Sequence, residues 1–234
     1  MNSVFLVIFL LISIEAISQQ ASYFDAAQSY NRLLIEKNNG TYTRVSNYKV
    51  IGSPYLFGEK HLGSIYAPTE NANNILLSYN TFNQELEFYT DENSVKSLIK
   101  GPGLVDSFKF KRNIGQGIAQ ELLFIYGPLM GANDKTYYQL LSKGTGYNLY
   151  KKYTGELGIV SANYVQADLR QFDLNYDYYY TITATNAIKK LKISQNALTK
   201  EFKSIKNLSG EFDQESLKAD PESTLIAIFE ALNR

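Results

Sequence analysis

The sequence predicts an α+β fold: an antiparallel β-meander, shaped as a half-barrel or sandwich-like sheet, with an N-terminal helix and C-terminal helices packed on it. Aromatic residues form 14% of the 234 residues, with 19 Tyr and 13 Phe, and such residues favour strands. Strand-like segments recur at about ten-residue spacing without helix-length segments between them, which favours antiparallel pairing over βαβ units. Roughly the last forty residues change to a helical period.

Composition excludes several classes of function. Lys and Arg number 23, Asp and Glu also number 23, and no long block of one sign occurs. This balance argues against a nucleic-acid partner. The absence of cysteine excludes thiol catalysis, thiolate metal sites and disulfides.

The first segment, residues 1–18, has the layout of a secretory signal peptide. An apolar run from Val4 to Ile14 precedes the small residues Ala16 and Ser18, which predicts cleavage after Ser18. As a helix the run reaches only about 16 Å, short of a hydrocarbon core of about 30 Å. We therefore expect export to the periplasm or the cell exterior, no membrane span in the mature chain, and a single β-rich domain over residues 19–234.

Two segments predict the elements that begin the mature chain. Phe24, Ala27, Leu33 and Leu34 can share one side of a helix that Asn38 to Gly40 would stop. Next, "NILLSYNTFNQELEFYTD" predicts a hairpin with its turn near residues 80–84.

Further strands follow between turns that contain Gly, Pro or Asn. Their predicted ranges are Val95 to Ile99, Asp106 to Arg112, Glu121 to Tyr126, Thr136 to Ser142 and Tyr147 to Tyr153.

Two helices are predicted near the C-terminus. Ser194 can cap a helix that carries Leu198, Phe202 and Ile205 on one face. Asp220, followed by a proline, can cap a second helix. Its apolar stripe comprises Leu225, Ile228, Phe229 and Leu232.

Several segments carry a resemblance that covers most of the mature chain. "GSPYLFGEKHLGSIY", "SYNTFNQELEFY", the Lys-rich "AIKKLKIS" and the terminal "IFEALN" resemble an abundant group of secreted proteins from Bacteroidota. The resemblance implies export and the same kind of fold. The group has no established activity, cofactor or catalytic residue, so no site residue is carried over.

The segment "FDLNYDYYYTIT" raises the question of a metal site. Asp173, Asn175 and Asp177 match the first acidic positions of an EF-hand loop. However, Tyr178 stands where that loop needs Gly, and Ala184 where it needs a bidentate Glu. Clean alternation predicts a strand instead, and we expect no metal and no cofactor.

Catalytic candidates are sparse. His61, the single histidine, lies between two glycines on a predicted loop or strand end, where we expect a surface position. No nucleophile-elbow pattern accompanies Ser53 or Ser64. Glu85 and Glu87 share one strand face about 7 Å apart, a separation compatible with inverting glycoside hydrolysis, but alternation with apolar residues predicts an exposed face.

These observations favour a non-enzymatic, exported cell-envelope protein that acts as a binding or interaction module. Its partner would be an unknown envelope protein or a small apolar ligand. The predicted contact residues are Tyr55, Phe57, Tyr176, Tyr178, Tyr179 and Tyr180. Two alternatives remain open: a carrier with an apolar cavity between a curved sheet and the helices, and a hydrolase that uses carboxylates alone.

Overall fold

The computed structural model describes residues 35–38, 41–44, 49–93, 98–100, 103–159, 169–185, 187–208 and 210–234. The predicted signal peptide, residues 1–18, and the predicted helix before residue 35 lie outside them. Residue contacts divide the chain into two compact units, Met1–Ile51 with Ile159–Gln171, and Gly52–Gly158 with Phe172–Arg234. The single domain over residues 19–234 stays a prediction.

In the first unit, the described residues form short strands. Strand β1, Ile35–Asn38, pairs antiparallel with β2, Thr41–Arg44. The predicted helix was to stop at Asn38 to Gly40, but the residues just before that stop, from Ile35, belong to β1, so the prediction is wrong for this last stretch. Strand β3, Lys49–Ile51, pairs in parallel with Leu169–Gln171.

A large, mostly antiparallel sheet contains the remaining described strands. They are β4 (His61–Tyr66), β5 (Asn71–Asn80), β6 (Glu85–Tyr89), β7 (Leu98–Lys100), β8 (Ser107–Phe110), β9 (Leu122–Tyr126), β10 (Tyr137–Ser142), β11 (Tyr147–Ile159), β12 (Leu169–Ile182) and β13 (Ala187–Lys190). The strand order is β13-β12-β11-β10-β9-β8-β4-β5-β6-β7. Two meanders therefore meet where β4 pairs with β8, and β13 and β7 lie at the two ends of this order of described strands.

Three helices follow the sheet: α1 (Gln195–Phe202), α2 (Gln214–Ala219) and α3 (Pro221–Leu232). The predicted caps Ser194 and Asp220 are confirmed, since their side chains accept hydrogen bonds from the backbone N–H of Ala197 and Ser223. Helix α2, capped by Asp213, was not predicted. Ile205 lies beyond the end of α1 and is exposed, so its predicted place on the apolar stripe is wrong.

The helices pack on one face of the sheet around a ring cluster. Phe202 and Phe229 lie 5.5 Å apart between ring centroids, and Tyr180 of β12 lies 5.3 Å from Phe202. The buried stripe of α3 comprises Leu225, Ile228, Phe229 and Leu232, as predicted. A mixed α+β architecture with C-terminal helices is therefore confirmed.

A second cluster of buried apolar and aromatic side chains lies between strands and loops within Gly52–Gly158. Phe108 and Phe124 stack with centroids 4.6 Å apart, and Tyr79 and Tyr137 pack edge to face beside them.

None of the helices in the described ranges combines the length and the apolar character that a membrane crossing requires.

Candidate interaction surface

The acidic and aromatic residues of "FDLNYDYYYTIT" lie on β12, so the strand prediction is confirmed. Alternation sends Asp173, Asn175 and Asp177 to one face of the strand. Asp177 forms an ion pair with Lys190 at 2.7 Å. In the described part of the chain, no group of three or more His, Cys, Asp or Glu could hold a metal ion.

Two predicted contact residues belong to the core. Tyr178 and Tyr180 are buried beneath the helices, and burial raises the pKa of both hydroxyls. The Tyr180 hydroxyl donates to the carboxylate of Glu201 in α1. Their prediction as partner contacts is therefore wrong, because the helices cover the part of this face on which these two rings lie.

Tyr179 lies on the opposite face of β12. Its ring is half-buried and packs edge to face on Tyr138, with 5.1 Å between the centroids. Met130 and Tyr150 belong to the same small cluster. Tyr179 therefore contributes mainly to packing on this second face.

The loop before β4 carries two further predicted contacts, Tyr55 and Phe57. The Tyr55 hydroxyl donates to Glu87 Oε1 at 2.9 Å, and burial followed by the Glu87 charge raises the pKa of Tyr55. Phe57 is half-buried, 6.4 Å from the ring of Tyr153. Phe57 also has a φ of +60°, a conformation that costs a bulky residue energy and that its surroundings must hold.

The structure corrects the environments predicted for Glu87 and His61. Glu87 is only 3% exposed, because Tyr55 lies against its carboxylate. His61 is 1% exposed, with Nδ1 2.9 Å from Gln116 Oε1 and Nε2 3.0 Å from the Gly58 carbonyl oxygen. His61 does begin a strand, as predicted, but its contacts hold the loop in place.

Apolar side chains form an exposed row on the part of β12 that precedes Tyr178. Phe172, Leu174 and Tyr176 follow at every second position and therefore share a face. Leu174 is 49% exposed and Tyr176 is 50% exposed. Phe82, from the turn between β5 and β6, packs edge to face on Phe172 with 5.6 Å between centroids. We call these four residues the aromatic ridge.

A caged lysine lies at one end of the aromatic ridge. Lys151 Nζ is 4.2 Å from the ring centroid of Tyr176, 5.0 Å from that of Tyr153 and 5.7 Å from that of Tyr178. The same atom lies 2.7 Å from Glu222 Oε2 in the first turn of α3. Burial, then the Glu222 charge, raises the pKa of Tyr153. The Lys151 ammonium group therefore lies against one face of the Tyr176 ring, while half of the Tyr176 side chain is exposed.

Sequence reasoning found Tyr176 but missed Phe82, Leu174 and Lys151. Period-two alternation in β12 could have added Leu174, because it precedes Tyr176 by two residues. No local signal marks Lys151, whose cage is assembled from β11, β12 and α3.

The comparisons with known proteins add no relative to this description. No protein-family model, no curated protein and no solved structure matches the chain.

Proposed function

We propose that this chain is a non-enzymatic, exported cell-envelope protein that binds another protein through the aromatic ridge. The main support is the exposure of Leu174 and Tyr176 beside Phe82. Tyr178 and Tyr180, which follow on the same face of β12, are buried. Aromatic side chains with large, rigid contact areas are enriched at protein interfaces and among the residues that dominate binding energy. The resemblance to secreted Bacteroidota proteins supports export to the periplasm or beyond.

The partner of this proposal is a protein that presents apolar anchor side chains within a polar rim. Leu174 and Phe172 offer purely apolar area, whereas Tyr176 combines a ring face with a hydroxyl. Lys151 already fills its cage and is paired with Glu222, so the ridge offers apolar contact rather than a free cation.

The alternatives have weaker support. A carrier needs space between sheet and helices, yet Tyr180, Phe202 and Phe229 fill that layer with rings 5.3 to 6.0 Å apart. A carboxylate-only hydrolase needs two accessible acids, yet Glu87 is buried against Tyr55. We also propose that the sheet curves as a half-barrel or a sandwich-like sheet, and that a helix lies near the N-terminus of the mature chain.

Photo-crosslinking in intact cells tests this function. A photoreactive phenylalanine analogue replaces Leu174 in one strain and Leu129 in a matched control, since Leu129 has a similar exposure of 51%. We expect a discrete adduct from position 174 that position 129 does not give. Adding Phe82→Ser and Tyr176→Ser should abolish it.

Other outcomes contradict the proposal. Equal adducts from positions 174 and 129, or an adduct that survives both serine substitutions, would exclude the ridge as the contact surface. An adduct with twice the mass of the chain would show that the crosslinked protein is a second copy of this chain and not a different protein.

A further inference from the structure

A separate groove lies between the edge strand β13 and helix α1. Its volume is about 460 Å³, and it is lined by Lys190, Leu191, Lys192, Ala197, Lys200 and Glu201. The helix residues at positions 197, 200 and 201 follow the spacing of one helical face. The groove therefore has a helix as one wall and the edge of the sheet as the other.

The strand β13, which carries Lys190 at the groove, also presents backbone groups away from β12. Leu191 N–H donates to the Tyr178 carbonyl oxygen at 2.8 Å, and the pairing of Tyr180 with Lys189 continues this register. In an antiparallel pair, hydrogen-bonded and non-bonded residues alternate, so the N–H and C=O of Ile188 and Lys190 point away from β12. No strand of the described residues pairs with this outer edge.

The charges at the groove are mostly positive. The Lys190 ammonium pairs with Asp177, and that hydrogen bond raises the pKa of Lys190. Glu201 accepts from Tyr180 and lies 3.9 Å from Lys189. Within the described ranges, Lys192 and Lys200 have no carboxylate at ion-pair distance, and both are exposed. Two uncompensated ammonium groups therefore flank the groove.

We propose that this groove takes an extended acidic peptide segment of a partner protein, which adds to β13 as a further strand. The backbone of the segment would pair with the outward N–H and C=O of Ile188 and Lys190, the mode known as β-strand addition. Its carboxylates would lie against Lys192 and Lys200, while an apolar side chain would contact Leu191 and Ala197. This inference does not depend on the aromatic ridge.

Fluorescence anisotropy with defined probes tests the inference on the full mature chain. The probe is a labelled eight-residue peptide that alternates valine with aspartate. A valine–lysine peptide tests charge, and the aspartate peptide with a central proline tests backbone pairing. We expect saturable binding of the aspartate probe, weakening with salt. The lysine peptide should not bind, and proline should weaken binding about tenfold because it removes a backbone donor.

Matched variants assign the binding to the groove. Lys192→Glu with Lys200→Glu should weaken the aspartate probe about tenfold or more, because two attractions become repulsions. Lys143→Glu with Lys218→Glu makes the same change of net charge at other exposed positions and should alter affinity by less than about twofold. The milder pair Lys192→Gln and Lys200→Gln should give an intermediate loss, which guards against misfolding of the reversed variant.

The opposing results are equally specific. If the lysine and aspartate peptides bind alike, or if both double reversals have equal effects, the groove is not an acidic-peptide site. If proline has no effect, strand addition is wrong. If no probe binds the wild-type chain, the lysines serve only to prevent pairing at a sheet edge.

Discussion

Asn233 is bonded to the turn that contains Gly146: its Oδ1 accepts hydrogen bonds from the N–H of Gly146 and of Tyr147, each at 2.9 Å. Its Nδ2 donates to the carbonyl oxygens of Tyr147 and Phe229. The end of α3 is therefore held against the turn between β10 and β11. A Cβ on Gly144 would overlap the Asn233 side chain, so the close approach requires glycine there.

The first prediction concerns this junction. Asn233→Ala should lower the free energy of unfolding by about 2 kcal/mol, because partly buried backbone groups lose their partners. Gly144→Ala should cost a similar amount, since the new methyl group displaces the amide. Urea unfolding followed by circular dichroism measures both, with Asn196→Ala and Gly115→Ala as controls at exposed positions, where changes stay within about 0.5 kcal/mol.

A double-mutant cycle sharpens this prediction. In the Asn233→Ala background, Gly144→Ala should cost much less, because the group that it displaces is already gone. Fully additive losses would contradict the contact between the two positions.

The second prediction concerns the Lys151 cage. Lys151→Met keeps much of the apolar stem but removes the ammonium group from three tyrosine rings and from Glu222. We expect a loss of about 1 to 2 kcal/mol in unfolding free energy. Lys109→Met breaks an exposed pair with Glu121 and should cost less than about 1 kcal/mol. Equal losses in the two variants would show that the cage adds nothing to an ordinary surface pair.

The third prediction separates core tyrosines from contact tyrosines. Tyr178→Ala and Tyr180→Ala should each destabilise the fold by about 3 kcal/mol or more, as expected for large-to-small changes in a core. Tyr176→Ala should cost less than about 1.5 kcal/mol, because half of its surface remains in water. Midpoints of urea unfolding give the comparison, and a large loss at Tyr176 would reassign it to the core.

The fourth prediction concerns acid unfolding. Hydrogen bonding from Ser216 and from Ser223 lowers the pKa of Asp213 and of Asp220. Each cap therefore contributes stability above the unfolded pKa of about 3.9, and this stability is lost as the pH falls through the lower folded value. In Asp213→Asn with Asp220→Asn, unfolding free energy should fall less steeply below about pH 4 than in the wild type.

Ser194→Ala is the control, since it removes the cap of α1, whose side chain has no titratable group. It should lower the free energy of unfolding but leave its dependence on pH below about pH 4 as in the wild type. If the free energy of unfolding of the Asp213→Asn with Asp220→Asn variant falls below about pH 4 as steeply as that of the wild type, the two aspartates do not cause the acid unfolding.

Local signals predicted much of the fold. Ser194 and Asp220 were identifiable as caps because an N-cap bonds to a backbone N–H only three residues along the chain. The strand in "FDLNYDYYYTIT" was identifiable because period-two alternation is also local. Alternation does not reveal how far along a face the helices will extend, so buried Tyr178 could not be distinguished from exposed Tyr176 on the same face.

Burial of the polar candidates depends on distant residues. Tyr55 and Glu87 are 32 positions apart, and His61 and Gln116 are 55 apart. Neither pair follows from spacing, so both Glu87 and His61 were predicted to be exposed. The Lys151 cage was unpredictable for the same reason, because Glu222 lies 71 positions away.

Native mass spectrometry of the mature protein, purified from its own cell envelope, tests the ridge most directly. Three forms are compared: the wild type, Leu174→Ser with Tyr176→Ser, and the control Leu129→Ser with Ile114→Ser, whose positions are also exposed. We predict a protein complex, lost on denaturation, for the wild type and the control but not for the ridge variant. Retention of the same complex by the ridge variant, or no complex in any form, would contradict the proposed function.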